Sequence, residues 1–231
     1  MTPRAPRTPP PWARSIGRFL AHGVWNTEVR GAQNVPAAGP VVVVANHIGL
    51  MDGPLLVGAV PRPTAVLVRH GMFVGPLGWL LHRSGQIAVH DSDGGRSALA
   101  SARTTLRAGG VVAVFPEGSR GKGDAADARA GAAWLARSSD AVVVPAAVLG
   151  TRRTGESVHR PPGVRRKLVI EFGPALTLER PAGASGRAAL EAANTQIRLA
   201  LAAVVADAVA SSGIALPTDD PLHVRQGRMA R

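Results

Sequence analysis

Residues 41–53 of the chain read VVVVANHIGLMDG, and this stretch decides the fold class. Its first five residues, Val41–Ala45, are apolar and mostly β-branched, which predicts a strand buried on both faces. A loop follows at 46–52, and Pro54 favours a helix that begins at about residue 53. A buried strand, a short loop and a helix in this order are typical of an α/β sheet whose neighbouring strands run parallel.

The same alternation continues along the rest of the chain. Short apolar or alternating runs predict strands at 65–69, 86–89, 111–115, 141–144 and 167–172. The strand at 141–144 is expected to end at Pro145. Amphipathic runs predict helices at 97–108, 128–137 and 187–212. We therefore predict a single α/β domain with a largely parallel central sheet flanked by helices, and an N-terminal amphipathic helix.

The two ends of the chain differ in composition from this domain, which we place at 31–213. Residues 1–11 are rich in Pro and Arg and are predicted to be a disordered tail, and residues 214–231 a second tail. The segment 12–30 is predicted to be an amphipathic helix. Its apolar face holds Trp12, Ile16, Phe19 and Leu20, and another face holds Arg14, Arg18 and His22. Such a helix either lies on an anionic membrane surface or packs on the core with a solvated basic face.

Composition narrows the classes of function. The 231 residues include 27 basic and 15 acidic ones, a net charge of +12, which attracts phosphate groups of lipids or nucleic acids. Aromatic residues make up 3% and Tyr is absent, so base stacking lacks platforms and we expect no nucleic-acid partner. There is no Cys, which excludes disulfides and thiol nucleophiles.

Targeting signals are weak. An uncharged apolar stretch of about 18 residues, as a spanning helix needs, is missing, and the Pro-rich N-terminus makes a poor signal peptide. We therefore expect a cytoplasmic protein, peripheral on the inner face of the membrane.

The loop after the first buried strand holds His47 and Asp52. Across a turn at Gly49 the carboxylate can bond one imidazole nitrogen, which fixes the tautomer and makes the other nitrogen a better proton acceptor. That nitrogen can then deprotonate a hydroxyl. In the alternative interpretation Asp52 caps the following helix and His47 is an ordinary loop residue.

A second loop follows the strand at 111–115 and reads Phe115-Pro116-Glu117-Gly118-Ser119-Arg120. Gly118 permits close approach to the backbone, whose N–H groups can hold an anion, and Arg120 can grip a phosphate. The alternative is a surface turn with a local ion pair. A P-loop is excluded, because Pro116 and Gly123 occupy the positions that need Gly and Ser or Thr.

Taken together, Asn46-His47-x4-Asp52 and the stretch 115–120 resemble the glycerolipid acyltransferase family, of the 1-acyl-sn-glycerol-3-phosphate acyltransferase type. The resemblance covers roughly residues 30–175. It implies that His47 is the catalytic base and Asp52 its partner. The residues that it implies for acceptor binding are Asn46, Glu117, Gly118, Ser119 and Arg120. One position departs from the family pattern, since Asp91 stands where the family usually has an Arg that helps to hold the acceptor's phosphate.

The resemblance implies transfer of a fatty acyl group to a lysophospholipid hydroxyl, with 1-acyl-glycerol-3-phosphate as the first acceptor to consider. The donor would be acyl-CoA or acyl-carrier protein, with no metal and no other cofactor. Two alternatives remain: an O-acyltransferase for a different lipid acceptor, and a non-catalytic basic module on membrane or nucleic acid. The basic segment 152–167 is expected either to contact anionic lipid or carrier phosphates, or to be a solvated loop.

Overall fold

The computed structural model of the chain describes residues 8–125, 129–178, 183 and 185–219. Within these residues, seven strands form one sheet. The strands are β1 Asn26–Arg30, β2 Val41–Ala45, β3 Thr64–Arg69, β4 Ile87–Val89, β5 Val111–Val114, β6 Val142–Leu149 and β7 Lys167–Phe172. The helices are α1 Pro11–Phe19, α2 Asp52–Ala59, α3 Gly75–Arg83, α4 Arg96–Arg107, α5 Gly131–Ser138 and α6 Gly186–Ser212.

The sheet is largely parallel and has the order β1-β7-β6-β2-β5-β3-β4. Of the strand pairs among the described residues, β6 with β7 is antiparallel and the others are parallel. The strand β2 is central and completely buried, and its residues alternate between two hydrophobic clusters. Because successive side chains of a strand point to opposite faces, each cluster fills one side of the sheet. The predicted fold class is confirmed.

The predicted helix over 12–30 is wrong at its carboxyl-terminal end. Helix α1 continues as one π-helical turn, Leu20–Val24, and the chain then enters β1, which pairs with β7. Within β1, buried Thr27 is followed by exposed Glu28, so burial alternates along the strand. The buried position holds a polar residue, so the sequence lacks the apolar pattern that predicts a strand. Pairing with β7 at the edge of the sheet therefore decides that this segment is a strand, and the local sequence does not reveal this pairing.

The strand predicted at 141–144 does not end at Pro145 but runs on to Leu149. The carbonyl of Pro145 accepts a hydrogen bond from the N–H of Gly173, which directly follows β7. The proline nitrogen, which carries no hydrogen, points to the same side as this carbonyl. Pairing with β7 begins only one residue later, at Ala146. Proline is therefore tolerated inside this strand because it lies where the ladder with β7 starts.

Helix α1 packs on α2 through its small residues. Ala13 and Gly17 are buried, as is Ala21 of the π-helical turn. A Cβ atom on Gly17 would lie 2.6 Å from the backbone nitrogen of Gly58, so the two helices cross with almost no side chain between them. The large apolar residues of α1 consequently face outward, and Phe19 is 67% exposed.

The chain ends only partly match the predicted tails. Residues 1–7 of the predicted disordered segment lie outside the described residues, and Pro9 is buried. After α6, Ile214 and Leu216 pack against a core cluster, and Asp219 reaches Arg152. Residues 214–219 are therefore part of the folded domain, and 220–231 lie outside the described residues.

Helix α6 is the one helix among the described residues that is long and apolar enough, by length and composition, to cross a membrane. It spans 27 residues, and an apolar stripe along it is buried in the core. The buried residues are Ala189, Ala193, Ile197, Leu201, Val204, Val205 and Ala208. Helix α6 therefore packs against the core through this stripe, as its amphipathic sequence predicts.

Candidate active site

The two loops singled out in the sequence lie together at the carboxyl ends of β2 and β5. These strands are parallel neighbours, so the loops that follow them emerge at the same edge of the sheet. The N–H of Gly121 donates to the carbonyl of His47 at 3.0 Å and joins the loops directly. The end of β6, on the other side of β2, adds a third segment to this edge.

Asp52 is fully buried and accepts hydrogen bonds from several groups. Its Oδ2 accepts from His47 Nδ1 at 2.8 Å and from the backbone N–H groups of Ile48 at 2.7 Å and Gly49 at 2.8 Å. Its Oδ1 accepts from the hydroxyl of Thr151. The carboxylate thus turns back onto the loop that precedes it, and it does not cap α2.

His47 is held in one orientation from two sides. With Nδ1–H donating to Asp52, Nε2 is the nitrogen left to accept a proton from a substrate. The ring stacks on Phe115, with 4.2 Å between ring centroids and 19° between planes. The side chain retains 15% exposure, so a ligand can reach it. This geometry suits a general base.

Glu117 lies beside this pair in a partly buried position. Burial raises the pKa of its carboxyl group to about 8; a backbone hydrogen bond from His47 lowers it, while the charges of Asp124 and Asp52 add to the rise. Its Oε1 atom is buried and has no hydrogen-bond partner among the described residues. At neutral pH this carboxyl group is therefore largely protonated and can bond to a polar ligand.

Arg120 is the second group in this loop with unused hydrogen-bonding capacity. Its Nε is buried without a partner among the described residues. Burial lowers the pKa of its guanidinium, and the charge of Asp52 opposes that effect. A buried cation without a full set of partners is costly, so an anionic ligand would stabilise it.

Gly118 and Ser119 complete the predicted loop. Gly118 has a φ of 72°, and a Cβ atom there would lie 2.8 Å from the guanidinium carbon of Arg129. The left-handed φ favours glycine at this turn, whereas the guanidinium of Arg129 is the end of a flexible side chain that can shift. Ser119 is half-buried in the same loop.

The structure gives Asn46 a different position from the one expected of a substrate-binding residue. Its side chain is fully buried, its Nδ2 donates to the carbonyl of Val148 at 3.2 Å, and its Oδ1 accepts from the N–H of Val148 at 2.7 Å. Both polar atoms are thus used in joining the end of β2 to β6. The expectation of a substrate contact is corrected on this ground.

Sequence reasoning missed Thr151 as a partner of Asp52 and misjudged Arg152. The segment that holds it is predicted to contact lipid or carrier phosphates or to be a solvated loop, but the Arg152 side chain is 1% exposed and bonds to Ile48 and Gly121. Within the same segment Arg166 pairs with Glu156. The position of Thr151 just after β6, a parallel neighbour of β2, is the signal that could have indicated its proximity.

Asp91, which departs from the family pattern, forms an exposed ion pair with Arg69. Its carboxylate lies 3.7 Å from Nε of Arg69, with both side chains exposed. Arg83, another arginine of this region, lies over the ring of Trp79 at 5.6 Å. The edge of the sheet near β3 and β4 thus carries an acidic group where the family pattern has a basic one.

Comparisons with known proteins agree with this architecture. A family model described as Acyltransferase matches residues 26–149. An uncharacterised protein of Mycobacterium leprae is 32% identical over 155 residues, which are 60% of this chain and 40% of that protein. A 1-acyl-sn-glycerol-3-phosphate acyltransferase of Borreliella burgdorferi is 26% identical over 127 residues, 53% of this chain and 51% of that protein. The chain thus spans about two fifths to one half of these relatives.

A solved structure shares the fold. The crystal structure of the 1-acyl-sn-glycerophosphate acyltransferase from Thermotoga maritima matches with a TM-score of 0.62 and 22% sequence identity. The match covers 82% of this chain and 77% of that one.

Proposed function

Because the chain belongs to the acyltransferase family, we propose that it transfers a fatty acyl group from a thioester donor to a hydroxyl of a lysophospholipid. The donor would be acyl-CoA or acyl-carrier protein, and 1-acyl-glycerol-3-phosphate is the first acceptor to test. The observation that carries the proposal is the bond between His47 Nδ1 and the buried carboxylate of Asp52, which leaves Nε2 for a substrate proton.

In the proposed mechanism Nε2 of His47 removes the proton of the acceptor hydroxyl as its oxygen attacks the thioester carbonyl. The tetrahedral intermediate collapses, the carbon–sulfur bond breaks, and the protonated imidazole returns its proton to the leaving thiolate. Asp52 stabilises the imidazolium between these steps. Since a thioester is already electrophilic, this chemistry needs no enzyme nucleophile, metal or redox cofactor.

The acceptor would be held by the loop that follows β5. Arg120 supplies a partly buried guanidinium that suits a phosphate. Glu117, with a pKa of about 8, supplies a protonated carboxyl group that suits a glycerol hydroxyl. Each of these side chains has a buried polar atom without a partner among the described residues, which a bound acceptor would satisfy.

A second candidate function is acylation of a different lipid hydroxyl. The observation that favours it is the ion pair between Asp91 and Arg69, which puts a carboxylate where the family pattern has a phosphate-binding Arg. Like charges repel, so Asp91 would disfavour a phosphate at this edge of the site. The choice of acceptor therefore decides between the two candidates.

We further propose that the protein acts on the inner, cytoplasmic face of a membrane, as a peripheral protein on anionic lipid. The support is the outward apolar face of α1, where Trp12 and Ile16 are 40% and 42% exposed. A helix with large apolar residues on one side and basic residues on another is typical of an interfacial helix.

The test is release of free thiol from acyl-CoA with 1-acyl-glycerol-3-phosphate and a panel of other lyso-lipids. We expect release that depends on an acceptor and is lost in His47→Ala. His82→Ala, which alters an exposed histidine of α3 outside both loops, should retain activity. Release that persists in His47→Ala would contradict the mechanism, and release only with acceptors that lack the phosphomonoester would favour the second candidate.

A further inference from the structure

Arg152 is a buried cation that the mechanism above does not use. It follows β6 after a turn in which Gly150 has a φ of 84°. Its guanidinium bonds mainly to backbone oxygens, an arrangement in which the fixed fork of donors matters as much as the charge.

Two of these bonds join Arg152 to the two loops of the candidate site, one bond to each loop. Nε donates to the carbonyl of Ile48 at 3.0 Å, and one terminal nitrogen donates to the carbonyl of Gly121 at 3.0 Å. The N–H of Ile48 donates to Asp52, and the N–H of Gly121 donates to the carbonyl of His47. Each of these two residues is therefore fixed by Arg152 on one side and by the His47–Asp52 pair on the other.

The countercharge of Arg152 comes from the far end of the chain. Its guanidinium lies 2.9 Å from Oδ1 of Asp219 and 3.1 Å from the carbonyl oxygen of the same residue. The N–H of Thr218 donates to the hydroxyl of Thr154, and Pro217 is buried, so the segment after α6 is fixed where it passes Arg152. A buried arginine without a partner is strongly destabilising, which makes Asp219 part of this arrangement.

The neighbouring residue tightens the same junction. The hydroxyl of Thr151 donates to Asp52, and a Cβ atom on Gly49 would lie 2.9 Å from that hydroxyl oxygen. The turn after β6 therefore touches the loop of His47 both through a hydrogen bond and through close packing.

We propose that Arg152 is a positioning residue, which fixes the loop of His47 and the loop of Arg120 relative to one another, and that Asp219 holds it in place. The proposal rests on the proposed function, because it assigns an effect on the step in which His47 acts as base. Misplacement of a reacting group by about 1 Å can cost on the order of 100-fold in rate. The main expected effect is thus on kcat, with a smaller effect on the KM of the acceptor, because the loop of Arg120 is proposed to hold it.

The test compares Arg152→Lys and Asp219→Asn with a matched control in the full chain. Lysine keeps the positive charge but lacks the fork that reaches two carbonyls, and asparagine keeps the shape of Asp219 without its charge. The control is Arg30→Lys, since Arg30 also bonds to several groups, Glu28, Glu171 and Ser211, but none of them belongs to either loop. Activity is measured well below the unfolding temperature of each variant.

We expect kcat to fall about 100-fold in Arg152→Lys and about 10-fold in Asp219→Asn, with a smaller rise in the KM of the acceptor, and Arg30→Lys to keep the wild-type kcat. Amide hydrogen exchange should rise at 46–52 and 118–124 in the first two variants alone. Wild-type kcat in Arg152→Lys, or an equal loss in Arg30→Lys, would overturn the inference. If the wild type transfers no acyl group, the proposed function fails, and unchanged exchange in the two loops would separately overturn the positioning role.

Discussion

The environment of Glu117 strongly alters the chemistry of its carboxyl group. Burial raises its pKa to about 8 from the ordinary value of 4.5. The folded protein therefore keeps this proton up to about pH 8, whereas the unfolded chain releases it near pH 4.5. Because the folded state binds more protons in that window, this group destabilises the fold progressively as the pH rises from 4.5 to 8.

We therefore predict that Glu117→Gln gains stability relative to the wild type as the pH rises from about 5 to 8. The difference in the free energy of unfolding should grow by at most about 1.4 kcal/mol per pH unit and level off above the folded-state pKa. Urea unfolding of both proteins at several pH values measures it.

Glu156→Gln is the control for this prediction. The hydrogen bond from Arg166 lowers the pKa of Glu156 to about 2, so its stabilising effect is complete above pH 4.5 and is lost only as the pH falls towards 2. The difference between this variant and the wild type should stay constant from pH 5 to 8. A constant difference for Glu117→Gln as well would contradict the proposed state of that carboxyl group.

Sequence alone could predict hydrogen-bond partners in the candidate site only where few residues separate them along the chain. His47 and Asp52 are five residues apart, and their bond follows from a turn between a strand and a helix. Asn46 bonds to Val148, 102 positions away, and Arg152 bonds to Asp219, 67 positions away. These contacts depend on strand order and on the path of the last segment, which residue spacing does not contain.

Among elements, the contact between α1 and α2 depends on two glycines. A Cβ atom on Gly58 would lie 2.3 Å from the backbone carbon of Gly17, so neither helix can accept a side chain there without moving apart. A Cβ atom on Gly17 would lie 2.6 Å from the carbonyl oxygen of Pro54, so the contact extends to the first turn of α2, which carries Asp52.

We predict that Gly58→Ala destabilises the protein by about 1–3 kcal/mol, because the two backbones must separate. Gly53→Ala in the same helix, where a Cβ atom meets nothing within 4 Å, should change stability by less than about 1 kcal/mol. The midpoints of urea unfolding compare the two. Equal shifts would mean that helix propensity rather than close packing governs position 58.

The predictability of elements follows the strength of their apolar patterns. The strands β2 and β5 are buried runs of Val and Ala and were predicted nearly to the residue. The strand β1 lies at the sheet edge with Glu28 and Arg30 in it, and it was assigned to a helix. Helix α3 begins with Gly75 and Pro76, a pair that is typical of turns, and the sequence analysis predicts no helix there.

At the scale of the whole molecule, positive charge and exposed apolar side chains together favour binding to a membrane surface. The chain carries a net charge of +12, and the outward face of α1 adds Phe19 at 67% exposure. Anionic lipid attracts the charge, and the apolar face gains by leaving water.

We predict that Phe19→Glu reduces binding to phosphatidylglycerol vesicles by about 10-fold or more, because burial of such a side chain is replaced by repulsion of a charge. Leu199→Glu, at a residue of α6 that is 56% exposed, should bind like the wild type. Vesicle sedimentation at low and high salt measures both, and binding should weaken as salt rises. Equal losses in the two variants would contradict a docking role for α1.

The pairing of β1 with β7 also fixes an order of events during synthesis. Arg30 lies beside Glu171, which is 141 positions later, so a ribosome needs roughly 7–30 s to deliver the partner of β1. Helix α2 is made soon after α1 and can cover the small residues of α1 early. The segment that becomes β1 has no strand to pair with until β7 is made. The polar and charged residues of this segment, NTEVR, disfavour its pairing with strands of other chains. The polar character that makes β1 hard to predict from sequence is thus expected to limit wrong pairing before the sheet closes.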